Sequence, residues 1–255
     1  MMSAEEFAEI LPEIRKITPF IYLHVKGEPL THPQFGRIMD LCDLYEMKVQ
    51  LVTNGTLLSR YPDLYLHPSL RKISFSLQSV EFHHDHNIEA YMQRIIKFVE
   101  TSSALGHPYC EIRFWRTDQK DMPATSRCMQ MLKERYTFED SGRRCSMKIL
   151  DGVYVSSDNM FEWPSLSVEN SSYGTCRGGI DQIAVLSDGT VIPCCLDNDG
   201  VINLGNIFKQ PLADILKSER YLSLCDGFRK RLISEPLCRS CTFRLRFTPE
   251  PNSKH

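Results

Sequence analysis

The feature that most constrains the fold is a strand–turn–helix pattern that repeats about four times within the first 165 residues. Short runs of β-branched and aromatic residues alternate with stretches in which apolar residues recur at helical spacing. We expect strands over residues 20–25, 49–53, 72–77, 109–115 and 146–155, and helices over residues 33–46, 57–66, 89–101 and 123–135. This alternation is typical of βαβ units, so the sequence predicts an α/β fold around a parallel sheet.

Turn-forming and polar residues follow or end the predicted strands. They are Gly27, Glu28 and Pro29 after the first strand, Thr53 and Asn54 at the second, Ser76 and Gln78 at the third, and Arg113 at the fourth. Each segment alone is equally typical of an ordinary turn. Because the carboxyl ends of parallel strands meet at one edge of a sheet, together they predict a ligand-binding rim.

Composition excludes several classes of protein. Of the 255 residues, 42% are hydrophobic, which supports a core, and the formal net charge of −2 argues against a protein that coats nucleic acid or an anionic membrane. No apolar run approaches the roughly 18 residues needed to span a bilayer. The N-terminal stretch is acidic and amphipathic, unlike a signal peptide. We therefore expect a cytoplasmic protein with no nucleic-acid and no membrane partner.

A second, smaller region follows a linker-like stretch around residues 159–173, which is rich in Ser and Asn with scattered aromatics. It contains an expected hairpin over residues 182–195 that turns at Asp188 and Gly189, and an expected helix near residues 212–217. The sequence therefore predicts two domains, residues 1–165 and residues 166–255.

Six of the ten cysteines lie after residue 175. Cys176 and Cys194 flank the expected hairpin, and Cys238 and Cys241 form a Cys-x-x-Cys pair, a spacing that lets two thiolates reach one metal centre from a single turn. Four thiolates suffice for a tetrahedral zinc ion or for a four-iron cluster, and spacing alone does not separate the two.

The remaining metal-ligand residue types have weaker patterns. Cys195 and Cys225 are possible substitutes for these four ligands, and Cys195 should point to the opposite face of an extended strand. The scattered cysteines Cys42, Cys110, Cys128 and Cys145 are interpreted as core or incidental thiols. The stretch 83–86 holds three histidines and an aspartate, but neighbouring histidines cannot easily face one ion.

Two segments carry a family resemblance. The run from Leu23 to Leu30, Leu-His-Val-Lys-Gly-Glu-Pro-Leu, and the later Thr-Asn-Gly-Thr at 53–56 resemble the barrel core of radical S-adenosylmethionine (SAM) enzymes. The run from Asp188 to Asp197, with Leu-Gly-Asn-Ile at 204–207, resembles the SPASM domain of that family. The resemblance implies a partial parallel (β/α)6-type radical SAM barrel without its first strand, followed by a small SPASM iron–sulfur domain.

The resemblance also implies roles for the rim. Gly27, Glu28 and Pro29 would hold the SAM amino group, and Arg113 its carboxylate. The residues expected near the adenosine or ribose are Thr53, Asn54, Ser76 and Gln78. In the family, SAM cleavage yields a 5′-deoxyadenosyl radical that abstracts hydrogen from the substrate. The implied partners are a peptide or protein substrate and an electron donor such as a flavodoxin or ferredoxin.

In the second domain the resemblance implies one auxiliary [4Fe–4S] cluster, with Cys176, Cys194, Cys238 and Cys241 as ligands. No cysteine occurs between Phe243 and His255, where full SPASM domains carry ligands for a second cluster. Basic residues near the Cys-x-x-Cys pair, among them Arg239 and Arg244, are expected to offset the negative charge of the cluster.

One departure from the family divides the functional hypotheses. No cysteine precedes Cys42, so the Cys-x3-Cys-x2-Cys loop that binds the SAM-cleaving cluster is absent from these 255 residues. The first hypothesis is a radical SAM/SPASM oxidoreductase whose recorded sequence begins late. The second is a degenerate iron–sulfur protein for electron transfer or peptide binding, without SAM cleavage. A zinc-stabilised binding protein is the third.

Overall fold

The computed structural model describes residues 1–82, 87–116, 122–143, 145–167 and 171–247. The histidine-rich stretch 83–86 lies outside the described residues. The chain divides into two compact units, one formed by Thr18–Met160 and the other by Met1–Ile17 together with Phe161–His255. The domain boundaries expected from the sequence, 1–165 and 166–255, stay a prediction.

The secondary structure of the described residues alternates strands and helices in the first unit and is sparser in the second. The strands are β1 (Phe20–Leu23), β2 (Lys48–Thr53), β3 (Leu70–Ser76), β4 (Tyr109–Arg116), β5 (Glu139–Asp140), β6 (Ser146–Leu150), β7 (Val153–Asn159), β8 (Ala184–Val185), β9 (Thr190–Ile192) and β10 (Gly205–Asn206). The α-helices are α1 (Ala4–Ile17), α2 (Phe35–Leu44), α3 (Ile88–Leu105), α4 (Pro123–Arg135), α5 (Leu212–Ile215), α6 (Glu219–Arg229) and α7 (Pro236–Arg239). Among the described residues, no helix is long and apolar enough to cross a bilayer.

The unit Thr18–Met160 is built on a seven-stranded sheet of order β1-β2-β3-β4-β7-β6-β5 within its described residues. Strands β1 to β4 and β7 run parallel, whereas β6 and β5 continue the sheet antiparallel. The predicted α/β fold with a mostly parallel sheet is therefore confirmed.

Two predicted elements differ from the structure. Residues 57–66 form two short 3-10 turns, Leu58–Arg60 and Leu64–Leu66, rather than one helix, because Pro62 lacks an N–H group and disfavours helical backbone at the preceding residue. The single strand predicted over residues 146–155 is the hairpin of β6 and β7. Its turn passes through Gly152, whose φ of 72° favours glycine.

The sheet of this unit has an apolar face that packs against α3. Phe75 on β3 is fully buried and meets the ring of Phe98 edge-on, with 5.6 Å between the ring centroids. Ile95 lies on the same side of α3 and is also fully buried. Alternate residues of the strands carry polar side chains on the opposite face, as the two-residue period of a strand dictates.

The second unit combines α1 with the C-terminal part of the chain. Helix α1 begins with a reciprocal cap, in which the Glu6 N–H donates to Ser3 Oγ at 3.1 Å and the Ser3 N–H donates to the Glu6 carboxylate at 2.7 Å. Strands β8, β9 and β10 form a small antiparallel sheet. The β8–β9 hairpin turns at Asp188 and Gly189, as expected; a Cβ at Gly189 would lie 2.3 Å from the Phe208 ring.

We predict that Phe75→Ala lowers the free energy of unfolding by about 3–5 kcal/mol, because it removes a fully buried ring and leaves a cavity against α3. Denaturant titration of the purified protein measures this change. Leu105→Ala is the matched control, since Leu105 ends α3 with 53% of its surface exposed and its truncation should cost little. Equal destabilisation by the two variants would contradict the assignment of Phe75 to the core.

Candidate functional site

Cys176 and Cys194 are brought together by the short loop that follows Cys176. The Gly178 N–H donates to the Cys176 sulfur at 3.4 Å, and the Gly179 N–H donates to the carbonyl of Pro193 at 2.8 Å. A Cβ atom at Gly178 would lie 3.3 Å from the Cys194 Cβ and 3.8 Å from the Cys176 sulfur. Because Gly178 has no side chain, the loop can pass between Cys176 and Cys194, which the backbone holds close together.

Cys238 and Cys241 lie on and just after the single turn of α7. The Cys241 N–H donates to the Cys238 carbonyl at 3.4 Å, and the Ser240 hydroxyl donates to the Leu237 carbonyl at 2.8 Å. The turn is anchored before it begins, because both carboxylate oxygens of Glu235 accept from Arg220, at 2.8 and 2.9 Å. The Cys-x-x-Cys pair thus has a defined backbone geometry.

Backbone pairing joins the two cysteine-bearing parts of the unit. The Ile233 N–H donates to the carbonyl of Ser172 at 2.7 Å, and the Gly174 N–H donates to that of Arg231 at 3.0 Å. The hydroxyl of Thr175 donates to the Phe228 carbonyl at 2.9 Å. The residues that lead into Cys176 therefore run beside the segment that leads to α7.

The four thiols influence one another electrostatically. Burial, with smaller contributions from neighbouring Cys195 and Cys176, raises the pKa of Cys194 to about 12. Burial also raises the pKa of Cys238, with added repulsion from Cys194, Cys176 and Cys241. Because thiolates are the metal-binding form, a positively charged metal centre has to compensate both the burial and the mutual repulsion.

The donor set of this region is all sulfur. Four thiolates can bind a tetrahedral zinc ion or an iron–sulfur cluster. Among the described residues, no group of three or more His, Cys, Asp and Glu side chains is positioned to hold a single metal ion.

The other cysteines are placed differently. Cys195 lies in the turn after β9, not on an extended strand as expected, and is half-buried. The Cys225 thiol is buried on α6 and donates to the Gly179 carbonyl at 3.6 Å, so it contacts the loop after Cys176. In the other unit Cys42, Cys110 and Cys128 are buried, and Cys145 is exposed.

At the strand ends of Thr18–Met160, three of the predicted rim residues form one network around Glu28. One oxygen of the Glu28 carboxylate accepts from the Thr53 hydroxyl at 2.7 Å and from the Leu30 N–H at 3.1 Å, and the other accepts from the Asn54 N–H at 2.6 Å. The Tyr91 hydroxyl on α3 donates to the Asn54 carbonyl at 2.7 Å. Sequence reasoning did not select Tyr91, which lies within the predicted helix over residues 89–101.

Gly27 and Pro29 shape the segment on either side of Glu28. Gly27 has a φ of 89°, a backbone conformation that favours glycine, and Pro29 begins the 3-10 turn Pro29–Thr31. The Glu28 side chain caps that turn through the Leu30 N–H. The segment after β1 is therefore folded so that the carboxylate reaches the end of β2.

The other predicted rim residues form a second group on β3 and β4. Ser76 ends β3 and is paired in register with Arg113, whose guanidinium carbon lies 5.3 Å from the centre of the Trp115 ring. The Oε1 atom of Gln78 is buried without a hydrogen-bond partner in the described part of the chain. Within those residues, Ser76, Gln78 and Arg113 make no hydrogen bond to the Glu28 network.

His24, just after β1, and Glu111, near the start of β4, are further polar residues of this unit that sequence reasoning did not select. Burial, together with the charge of Arg113, lowers the pKa of His24, which favours a neutral imidazole. The Glu111 carboxylate on β4 binds the Lys72 ammonium at 2.7 Å and accepts from the hydroxyls of Ser74 at 3.0 Å and Ser156 at 2.8 Å. The available signal was a charge at alternate positions of otherwise apolar strands.

Comparison with protein families identifies the C-terminal region. Residues 176–242 match the model of SPASM, an iron–sulfur cluster-binding domain, and this range contains all four predicted cysteine ligands. A search of curated proteins gave no significant match.

Solved structures share the fold of nearly the whole chain. BtrN in complex with AdoMet and 2-DOIA superposes with a TM-score of 0.55 at 14% identity, over 94% of this chain and 80% of that one. Streptococcus suis SuiB gives a TM-score of 0.56 at 18% identity over 93% of this chain, which spans only 64% of SuiB. The anSMEcpe protein with bound AdoMet gives 0.53 at 14% identity, over 99% and 80% of the two chains. The predicted resemblance to radical SAM/SPASM enzymes is confirmed at the level of fold.

We predict that Glu111→Gln lowers the free energy of unfolding at pH 7 by about 1–3 kcal/mol, because a carboxylate with three charge-assisted contacts is lost. Burial by itself raises the pKa of Glu111, but Lys72, Ser156 and Arg113 outweigh it, so its pKa lies below the ordinary value of 4.5. Its stabilisation is therefore present above that value and is lost as the pH falls through the lowered pKa.

Denaturant titrations between pH 7 and about pH 3.5 test this prediction, because the wild type should lose more stability over that range than Glu111→Gln does. Glu139→Gln is the control, since Glu139 is an exposed carboxylate on β5. Parallel pH profiles of the wild type and Glu111→Gln would show that the carboxylate is not held in its ionised form by these contacts.

Proposed function

We propose that this chain is a radical SAM/SPASM-type iron–sulfur oxidoreductase that modifies a peptide or protein through a 5′-deoxyadenosyl radical. The observation that carries the proposal is that backbone hydrogen bonds join the segments that bear Cys176, Cys194, Cys238 and Cys241, all of which lie inside the SPASM-matching region. A [4Fe–4S] cluster held there supplies one-electron chemistry, with a potential set by the surrounding charges and hydrogen bonds. One such auxiliary cluster is proposed for this chain.

The chain's own residues would prepare the cluster site in two ways. The loop after Cys176 and the turn of α7 fix the backbone of the four ligands before any metal binds, which lowers the entropy cost of assembling them. Burial of Cys194 and Cys238 keeps the thiols protonated in the absence of metal, so binding releases protons and depends on pH.

For the unit Thr18–Met160 we propose SAM binding at the strand-end rim. Its parallel strands β1 to β4 and β7 would correspond to the second to sixth strands of the radical SAM barrel. The Glu28 carboxylate, already held at the end of β2 by Thr53 and Asn54, would accept the N–H groups of the SAM amino group. Gly27 and Pro29 shape the turn that presents it.

The second group of rim residues, Ser76, Gln78 and Arg113, would bind the carboxylate and adenosine of SAM. Arg113 has no carboxylate partner among the described residues, so its guanidinium is available to the SAM carboxylate. The buried Oε1 of Gln78 has no donor within the described part of the chain, and a ribose hydroxyl or the adenine amino group would supply one. Ser76 is paired with Arg113 in the sheet. We therefore propose adenosine contacts for Gln78, Ser76, Thr53 and Asn54.

The proposed substrate class rests on a structural relative. SuiB, which has the same fold at 16% identity and a TM-score of 0.51 in that complex, has been solved bound to its precursor peptide SuiA. We propose a peptide or protein as the substrate of this chain and a flavodoxin or ferredoxin as its electron donor. A protein that holds the cluster without binding SAM would act instead in electron transfer or peptide binding.

Anaerobic reconstitution with iron and sulfide tests the cluster. We expect the wild-type protein to be brown, with about four iron and four sulfide per chain, and the Cys238→Ser, Cys241→Ser double variant to lose most of this content. Cys145→Ser is the matched control because Cys145 is exposed in the other unit. A colourless wild-type protein that carries about one zinc would overturn the iron–sulfur proposal.

SAM binding is tested separately, by equilibrium dialysis of the reconstituted full chain with radiolabelled SAM. Glu28→Gln and Arg113→Met should each weaken binding about tenfold or more, since each removes a charged partner worth about 1.5–3 kcal/mol. Glu139→Gln is the control, and circular dichroism checks that each variant is folded. A wild-type protein that holds iron but binds no SAM would favour the electron-transfer or peptide-binding function.

A further inference from the structure

Arg244 is a charged residue in an unusual position. It lies in the 3-10 turn Thr242–Phe247, three residues after Cys241, and only 4% of its surface is exposed. Arginine is rarely buried to this extent unless a partner compensates its charge, because moving a guanidinium out of water is costly.

The contacts of Arg244 all go to backbone oxygens. Its Nη1 atom donates to the Tyr173 carbonyl at 3.1 Å, and its Nη2 atom donates to the carbonyls of Ser171 at 3.1 Å and Arg239 at 3.3 Å. Ser171 and Tyr173 lead into Cys176, whereas Arg239 stands between Cys238 and Cys241. One guanidinium therefore ties together the two segments that carry three of the proposed ligands.

These contacts leave the charge of Arg244 uncompensated. Among the described residues, its buried Nε atom has no hydrogen-bond partner, and no carboxylate lies within ion-pair distance of its guanidinium. Carbonyl oxygens satisfy N–H groups but carry no net charge. A negative group close by would therefore offset the cost of burying this cation and its unsatisfied donor.

The proposed cluster would supply a negative group close to Arg244. The residue lies three positions after Cys241, and its Nη2 atom donates to the carbonyl of Arg239, which stands between Cys238 and Cys241. Four thiolates on a [4Fe–4S] core carry a net negative charge, and reduction adds one more. A fixed cation beside such a centre stabilises the reduced form more than the oxidised form.

We propose that Arg244 is the positioning residue and the built-in counter-charge of the auxiliary cluster, an inference that rests on the cluster proposed above. It holds the segment before Cys176 against α7, and its charge raises the reduction potential of the centre. Arg239 differs, because it is exposed and its guanidinium donates to the carbonyls of Ile233 and Ser234. Its charge is consequently screened more strongly by water.

The two roles of Arg244 can be separated by substitution. Arg244→Gln removes the charge and most of the donors, whereas Arg244→Lys keeps the charge but cannot bridge three carbonyls with a planar fork. Arg231→Met is the matched control. Arg231 is an exposed cation of the same unit that contacts the Tyr173 hydroxyl at 3.4 Å, so its loss changes the net charge equally.

The experiment measures two properties of the reconstituted full chain. Redox titration followed by electron paramagnetic resonance gives the midpoint potential, and the rate of iron loss to a chelator gives the retention of the cluster. We expect Arg244→Gln to shift the midpoint to more negative values and to lose iron several-fold faster than the wild type. Arg244→Lys should keep a midpoint near that of the wild type but lose iron faster, and Arg231→Met should change neither.

Each result decides the inference. An unchanged midpoint in Arg244→Gln overturns the counter-charge role, and wild-type iron retention in Arg244→Lys overturns the positioning role, even if Arg244→Gln fails to fold. In both cases the wild-type cluster remains, so the proposed function stands. A wild-type protein without iron and sulfide overturns the proposed function and this inference together.

Discussion

The need to ionise half-buried thiols that lie close to one another is the constraint on which the C-terminal part of the structure depends. Burial holds Cys194 and Cys238 in the protonated state, and their mutual repulsion adds to that effect. The backbone nevertheless brings the ligand segments together, through Gly179 on one side and the pairing of Ser172 with Ile233 on the other. In the proposed holo-protein, a metal centre would compensate the charge of these thiolates.

The sequence predicted those parts of the fold that depend on local signals. Helix α4 occupies the predicted residues 123–135, because its apolar spacing and its initial proline act within a few residues. The errors arose where one residue outweighed a regional pattern. Pro62 divides the predicted helix 57–66, and the Asp-Gly pair at 151–152 turns the predicted strand 146–155 into a hairpin.

The candidate site was predictable in its chemistry but not in its construction. Cysteine spacing pointed to the same four thiols that the fold brings into electrostatic contact. The pairing of residues 171–175 with residues 228–233, however, could not be predicted from the sequence. Backbone hydrogen bonds between distant segments do not require particular side chains. The network of Glu28, Thr53 and Asn54 is similar: the turn chemistry was visible, whereas the Tyr91 hydroxyl that supports it comes from a helix far along the chain.

Arg244 and the thiolates carry opposite charges, and burying either of them away from water is unfavourable. Each buried thiolate is unfavourable in the metal-free unit, and so is a buried guanidinium that only carbonyl oxygens and no carboxylate among the described residues contact. The proposed cluster would remove both costs together, because its irons would stabilise the thiolates and its net negative charge would stabilise the arginine. Cluster binding would then be linked to the folding of this unit, since a centre that binds only the folded form stabilises that form.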